Sequence, residues 1–254
     1  MAQSYLIKQI VHFFEELGNI SYMGGQIVTG LFRSKRLLGR TIEQMYHLGI
    51  KSIPVAMVTA IFVGMAFTIQ VTKEFLKFGA GKMIGGVVGL AVWRELGPLL
   101  TGVVLAGRVG AAVAAELGTM TVTEQVEALE SMSQDPVLFL VLPRVLACTV
   151  MMPLLVGMAD IAGFLSGFVI VWASGKLNAF AYFDAADSML KVSDITGGLI
   201  KGLFFGFVVG LISTYMGLKA QAGAKGVGEM TTHAVVVSLL TIFILNYLLS
   251  LSLF

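Results

Sequence analysis

Two long stretches of this chain carry no charged side chain, and they restrict the fold more than any other feature. Residues 53–71 and residues 234–254 each have about the length that an α-helix needs to cross a bilayer. Three further apolar runs, interrupted by few charges, lie at residues 83–115, 145–174 and 197–218. Because a spanning segment must satisfy its own backbone hydrogen bonds, these runs predict helices. We therefore expect an all-α polytopic membrane protein with five transmembrane helices.

The composition agrees with a membrane protein and argues against several other classes. The 254 residues are 57% hydrophobic and 13% charged, whereas soluble domains carry about 25% charged residues. A net charge of +2 is too small to suggest nucleic-acid binding. The single cysteine, Cys148, rules out a disulfide framework, and the three histidines lack metal-ligand spacing, so no metal site is predicted.

The first 47 residues are amphipathic rather than spanning. Phe14 and Leu17 are three positions apart and share one helical face, whereas Glu15 and Glu16 between them fall on the opposite side. A basic cluster follows at Arg33, Lys35, Arg36 and Arg40. Such helices lie in the headgroup region, with basic residues near anionic lipid. Residues 1–47 are thus predicted to form interfacial amphipathic helices, either as a lipid-sensing element or as a packed elbow that anchors the bundle. Residues 48–254 form the membrane domain.

The distribution of basic residues predicts the orientation. Five spans place the two termini on opposite sides of the membrane, and the segments on the N-terminal side hold the larger share of Lys and Arg. We expect a cytoplasmic N-terminus and a periplasmic C-terminus. The N-terminal residues lack the continuous apolar core of a signal peptide.

One polar step interrupts the second apolar run. Arg94 and Glu95 stand side by side and are followed by Gly97 and Pro98, whose sequence predicts a broken or kinked helix. Charges at membrane depth usually face a bundle interior or a wet cavity on a transport path. Two interpretations remain open: these residues line a cavity, or Glu95 bonds to Arg108 or to freed backbone N–H groups and only braces the break.

Three other polar residues in the apolar runs are interpreted as structural. Arg108 and Glu116 are two helical turns apart and are expected to pair near the cytoplasmic end. Asp160 stands alone in the third run, which favours an interhelical hydrogen bond over a proton relay. Glycines at every fourth position, such as Gly198, Gly202, Gly206 and Gly210, favour close helix packing inside one subunit over a dimer seam.

A short amphipathic helix is predicted between the second and third spans, at residues 121–133. Thr121 and Glu124 match a capping box, and Val126, Leu129 and Met132 fall on one side. A helix of this kind can dock into a groove of a partner, although it can equally be a solvated connector. The Gly79–Lys82 segment lacks the Ser or Thr of a phosphate-binding loop, so this chain is not expected to be an ATPase or any other enzyme.

Several motifs in order resemble the MlaE family of ABC-transporter permeases. They run from Arg94-Glu95-Leu96-Gly97-Pro98 through Ala106–Gly110, Ala115–Met120, Thr123–Leu129 and Asp135-Pro136 to Pro143-Arg144, and Gly223–Gly228 resembles the last cytoplasmic loop of the family. The resemblance covers the chain from about residue 40 to the C-terminus.

The resemblance implies a transport subunit that works with partners. These would be a second copy of the chain, a cytoplasmic ABC ATPase (MlaF-like) that holds ATP and Mg²⁺, a periplasmic MCE-domain protein (MlaD-like) and in many systems a STAS-domain protein (MlaB-like). No cofactor would be bound by this chain. The expected cargo is phospholipid or a related lipid moved between the inner and outer membranes of a bacterium, and a cyanobacterial or plastid envelope setting stays open.

By the same resemblance, two sets of residues carry the function. Arg94, Glu95, Gly97 and Pro98 lie at the lipid cavity. The helix at 121–133 couples to the ATPase, with the family motif at Thr123, Glu124, Gln125, Glu127, Leu129 and Asp135. Two alternatives come from other classes: an ion-coupled secondary transporter, which five spans and few carboxylates disfavour because inverted repeats need equal halves, and a membrane scaffold without transport.

Overall fold

A computed structural model describes residues 2–31, 37–175, 178–221 and 223–254, and every regular element in these residues is helical. The basic residues Arg33, Lys35 and Arg36 lie outside the described residues. The α-helices are α1 (Ala2–Gly30), α2 (Leu37–Gln44), α3 (Ile53–Lys77), α4 (Ile84–Ala91), α5 (Gly97–Leu105), α6 (Ala111–Val122), α7 (Gln125–Ser131), α8 (Leu142–Ala173), α9 (Ala179–Met189), α10 (Val192–Leu218) and α11 (Ala224–Leu253).

Five helical runs among the described residues are long and apolar enough to cross a membrane. They extend over Leu37–Lys77, Gly81–Val122, Val137–Ala173, Val192–Leu218 and Ala224–Leu253. The all-α membrane fold with five spans is therefore confirmed. Each run begins earlier in the chain than predicted, because further helical turns precede the apolar stretch, such as α2 before residue 53 and a π-helical turn at Val137–Val141 before residue 145.

The second span does not break at Gly97-Pro98. Instead, α4, α5 and α6 follow one another through two wide π-helical turns, at Val92–Leu96 and at Ala106–Gly110. Pro98 stands in the first turn of α5, where its missing N–H costs little because the preceding turn already widens the hydrogen-bond pattern. The predicted break is replaced by a π turn that carries Arg94 and Glu95.

Helices α8 and α10 form the centre of the bundle, and glycines bring them into close contact. A side chain at Gly206 would overlap the backbone oxygen of Cys148, and one at Gly202 would crowd Pro153. The glycine row of α10 thus packs against α8 and the second span within one subunit, as the four-residue spacing predicts.

Helix α1 is amphipathic and does not qualify as a span. Its Met23 and Ile27 are buried against α8 and α10, whereas Phe14 and Leu17 are exposed. Glu16 bonds to the Tyr215 hydroxyl and to Lys219, at the end of α10. These contacts make α1 a packed element of the bundle, as one of the two interpretations of this region expects.

The two ends of the bundle differ, and α7 and α9 mark them. Helix α7 connects the second and third spans at one end, whereas α9 connects the third and fourth at the other. We call these the α7 end and the α9 end. At the α9 end, Gly85 and Gly86 lie directly beneath the backbone of α9, so that α9 covers the beginning of the second span.

Candidate functional site

The π turn at Val92–Leu96 turns Arg94 and Glu95 toward two other spans. Wide turns of this type are rare in helices and concentrate at functional sites. The two residues are adjacent, so their side chains diverge. Each finds a separate partner of opposite charge on α10.

Arg94 pairs with Asp194 in the first turn of α10. Its Nη2 lies 2.9 Å and its Nε 3.0 Å from Asp194 Oδ1. The other carboxylate oxygen, Oδ2, accepts a hydrogen bond from the backbone N–H of Lys191 at 2.8 Å and so caps the helix. Asp194 is almost fully buried, and the pair fixes the start of the fourth span against the π turn.

Glu95 bonds to Lys201 and to two polar residues of α11. Lys201 Nζ lies 2.8 Å from Glu95 Oε1, and Asn246 Nδ2 donates to Glu95 Oε2 at 2.8 Å. Ser250 Oγ lies 2.8 Å from both Lys201 Nζ and Glu95 Oε1. The second, fourth and fifth spans are therefore joined by one network around a single carboxylate.

Lys201 is the most deeply buried member of this network. Its side chain is 0% exposed, and its three donors are matched by Glu95, Ser250 and the backbone oxygen of Arg94, each at 2.8 Å. A buried ammonium group is tolerated only when it is paired and fully hydrogen-bonded. The aromatic ring of Phe254 lies beyond it, with its centroid 5.1 Å from Nζ.

One side of the network remains open. The side chains of Arg94 and Glu95 are 36% and 40% exposed, whereas those of Asp194 and Lys201 are 1% and 0% exposed. The partly exposed side chains of Arg94 and Glu95 are held by the buried, oppositely charged Asp194 and Lys201. They can therefore bind a polar group that enters between the apolar helices. The described residues contain no cluster of His, Cys, Asp and Glu suited to a metal.

Gly97 and Pro98 lie directly after the π turn, and their place at a lipid cavity stays a prediction. Both are buried, Gly97 against Asp160 of α8 and Pro98 beside Gly198 of α10. They therefore set the close helix contacts beside the π turn.

The expected pair of Arg108 and Glu116 is not formed. Arg108 Nη1 donates to the Ser52 hydroxyl, and Glu116 Oε1 lies 2.6 Å from Nη2 of Arg144 on α8. The second π turn, at Ala106–Gly110, rotates Arg108 away from the face that carries Glu116. Glu95 likewise bonds to Lys201 and not to Arg108.

The predicted helix at 121–133 is shorter, and its capping box is wrong. Thr121 still belongs to α6, where its hydroxyl donates to Leu117 O, and Glu124 adopts a left-handed conformation with φ of 60° before α7 begins at Gln125. Val126 and Leu129 pack against the core, whereas Met132 is exposed.

The family motif at α7 presents its polar residues outward. Thr123, Glu124, Gln125 and Glu127 are exposed, and Gln125 Nε2 donates to Thr123 Oγ1. Asp135 accepts a hydrogen bond from the backbone N–H of Val137 and so starts the third span. Their coupling role stays a prediction.

Four residues of the network escaped the sequence-based prediction: Asp194, Lys201, Asn246 and Ser250. Lys201 offered a signal, since it is a charged residue within the apolar run at 197–218. Asp194 lay just before that run and therefore read as part of a connection. Asn246 and Ser250 are small polar residues in a run without charge, and only the fold places them beside Glu95.

Comparisons with known proteins agree with this architecture. The model of the permease MlaE family matches residues 41–252. A probable ABC transporter permease protein of Synechocystis is 44% identical over 238 residues, which cover 94% of this chain and 90% of that protein. One of Rickettsia felis is 40% identical over 96% of this chain and 94% of its own length.

A plant protein is also similar. The chloroplastic protein TRIGALACTOSYLDIACYLGLYCEROL 1 of Arabidopsis thaliana is 41% identical over 232 residues, which cover 91% of this chain and 66% of that protein. With five helical runs in its described residues that are long and apolar enough to cross a membrane, and with a family match over most of its length, the chain belongs to the MlaE family of permeases and is a multi-pass permease subunit of the ABC transporter type.

Proposed function

We propose that this permease moves phospholipid or a related lipid between the inner and outer membranes, driven by ATP hydrolysis on a partner chain. The observation that carries the proposal is the network around Glu95, which sets an open Arg94 and Glu95 over a fully buried Lys201 within apolar spans. A lipid needs a path of this kind, because its headgroup is polar and its acyl chains are apolar.

Arg94 is suited to hold the headgroup. A guanidinium has five N–H donors, and Asp194 is bonded to Nε and Nη2. Nη1 has no hydrogen-bond partner among the residues that the structure describes, and it can form a charge-assisted hydrogen bond with a phosphate oxygen. The name of the Arabidopsis relative refers to a glycerolipid, which supports a lipid as cargo.

A second copy of the chain would close the cavity. Helix α11 carries Asn246 and Ser250 on one face and a row of exposed apolar side chains on the others: Val236, Leu240, Phe243, Ile244, Tyr247, Leu248 and Leu251. A homodimer that covers part of this row would enclose the open side of the network between apolar walls.

Helix α7 is proposed as the coupling helix. Its core-facing Val126 and Leu129 tie it to the bundle, while Glu124 and Glu127 stay available for an MlaF-like ATPase in the cytoplasm. Under this proposal the N-terminus and the α7 end lie inside, and the C-terminus and the α9 end lie on the periplasmic side, where an MlaD-like MCE protein would exchange lipid with the permease. An MlaB-like STAS protein would accompany the ATPase.

The decisive experiment is lipid transfer by the reconstituted complex of permease, ATPase and MCE protein. Arg94→Gln and Glu95→Gln should each lower ATP-dependent transfer about tenfold or more, since one lost charge-assisted hydrogen bond corresponds to roughly that factor. Glu74→Gln, which alters an exposed pair with Lys77, is the matched control. Unchanged transfer by both network variants in an assembled complex would contradict the cavity role.

The same preparation separates the alternatives. Transfer that continues without the ATPase and stops when an ion gradient is dissipated would indicate a secondary transporter. A chain that assembles with partners yet moves no lipid under any condition would indicate a scaffold.

A further inference from the structure

Asp160 in the middle of α8 is a buried carboxyl group without a partner. It is 0% exposed, and neither carboxyl oxygen has a hydrogen-bond partner among the residues that the structure describes. The cations on the neighbouring spans, Arg94 and Lys201, bond to Asp194 and Glu95 instead. An ionised carboxylate in this position would be uncompensated, which is far more costly than a neutral acid.

The carboxyl group lies against the π turn that carries the proposed lipid site. A β-carbon added at Gly97 would overlap Asp160 Oδ1, so Asp160 occupies the space that this glycine leaves free. The same β-carbon position is 3.2 Å from the backbone oxygen of Val92. Asp160 Oδ1 and Val92 O therefore border one small space behind the turn.

The Val92 carbonyl is the acceptor that defines the π turn. It receives the N–H of Gly97, five residues later, and a carbonyl oxygen can accept a second hydrogen bond. A neutral carboxylic acid has one O–H donor. Side chains of neighbouring helices commonly satisfy backbone groups where a membrane helix departs from the regular pattern.

We propose that Asp160 is a positioning residue: as a neutral acid it donates a hydrogen bond to the Val92 carbonyl and holds the π turn so that Arg94 and Glu95 face Asp194 and Lys201. The requirement for glycine at position 97 follows, because any side chain there would separate donor and acceptor. The proposal rests on the proposed function only in its first test, which measures lipid transfer.

The first test compares two substitutions of similar size in the full complex. Asp160→Asn keeps an N–H donor without a charge, whereas Asp160→Leu removes the donor. We expect lipid transfer by the Asn variant within about twofold of the unsubstituted protein and a loss of about fivefold or more for Leu, the range of one lost hydrogen bond. Equal transfer by all three proteins would overturn the proposal, and so would an Asn variant as inactive as the Leu variant, since a need for the ionised group predicts that result.

The second test does not depend on transport or on the Leu variant folding. Infrared difference spectra of the complex against the Asp160→Asn complex should show the carbonyl stretch of a protonated carboxylic acid, because only the unsubstituted protein has that group. No such band at neutral pH would refute a neutral Asp160. If the band is present while the unsubstituted complex transfers no lipid, the proposed function fails and the protonated Asp160 stands.

Discussion

The two ends of the bundle differ in how many of their charged side chains are paired within the chain. Near the α9 end, Arg94 and Glu95 each have a buried partner of opposite charge, and Lys201 has all three donors matched. At the α7 end, Glu116 pairs with Arg144, but Glu127 of α7 and Glu124, directly before α7, are exposed and form no ion pair among the described residues.

The difference separates two uses of charge. Charges that are matched within the chain hold spans together and create a defined polar surface at membrane depth. Charges left to solvent on a short, core-anchored helix add little to the stability of the chain and remain available to a partner. Substitutions should therefore lower stability most in the network near the α9 end, whereas those at the exposed residues of α7 should affect coupling.

The largest effect should come from Lys201→Met, which leaves Glu95 without its counter-charge. Removing one partner of a fully buried pair costs about 3–5 kcal/mol, and since Glu95 is 40% exposed we expect a loss near the lower end of that range, with a clear fall in the unfolding temperature of the purified protein. The double variant Lys201→Met with Glu95→Gln should recover part of the loss, because no unpaired charge remains. Equal destabilisation by the single and the double variant would show that the packing of the lysine stem matters more than its charge.

A smaller loss is expected from Gly198→Ala, which tests the packing beside the network. The added methyl group would overlap the backbone oxygen of Trp93, and overpacking of this kind costs about 1–3 kcal/mol. Gly157→Ala is the control, because its β-carbon would lie 3.7 Å from Leu199, an ordinary contact distance. Thermal unfolding of both variants measures the difference, and equal stability would argue against the close approach of α10 to the π turn.

At the α7 end, Glu116→Gln should reduce the free energy of unfolding by about 1 kcal/mol, typical of one hydrogen bond. The charge that remains, on Arg144, is only 7% exposed, but the glutamine amide oxygen can still accept a hydrogen bond from it, and the 53% exposure of Glu116 means that solvent already screens the pair. Thermal unfolding provides the measurement. A loss as large as that of Lys201→Met would remove the distinction between the two ends.

The smallest effect on stability should come from Glu127→Ala in α7, within about 0.5 kcal/mol, as for other exposed positions. The same variant should lower lipid transfer per ATP hydrolysed in the complex if α7 couples to the ATPase. Ser131→Ala, at the end of the same helix, is the control. An unchanged ratio of transfer to hydrolysis would leave α7 as a solvated connector.

The sequence predicted the architecture well, because apolar length is a local property. The five runs and the family motifs can be recognised from residue type and spacing alone. These indicate membrane spans because the bilayer thickness fixes the length of a span and because charge is costly in lipid. The same reasoning located Arg94 and Glu95. At Gly97-Pro98, where a break or a kink is predicted, the helix continues through a π turn. The reasoning was wrong about the pair of Arg108 and Glu116 and about the capping box at Thr121.

The differences at Gly97 and at Arg108 share one cause, whereas the capping box at Thr121 is wrong because α6 continues through that residue. A π turn inserts an extra residue into the helical repeat, so that residues assigned to one face by the regular period are rotated onto another. Nothing in the residue pattern alone indicates where such a turn occurs. Two of them in the second span were enough to redirect Arg108 toward Ser52 and to bury Gly97 against Asp160.

The sequence by itself determined that this chain spans a membrane five times, carries charge at depth in its second span and belongs with permeases. The tertiary structure alone decided which charges meet: Lys201 and Glu95 are 106 residues apart, and Arg94 and Asp194 are 100 residues apart. Pairs this far apart in sequence depend on how the glycine-lined helices pack. The close approach of the helix backbones and the π turns determine which side chains can reach one another.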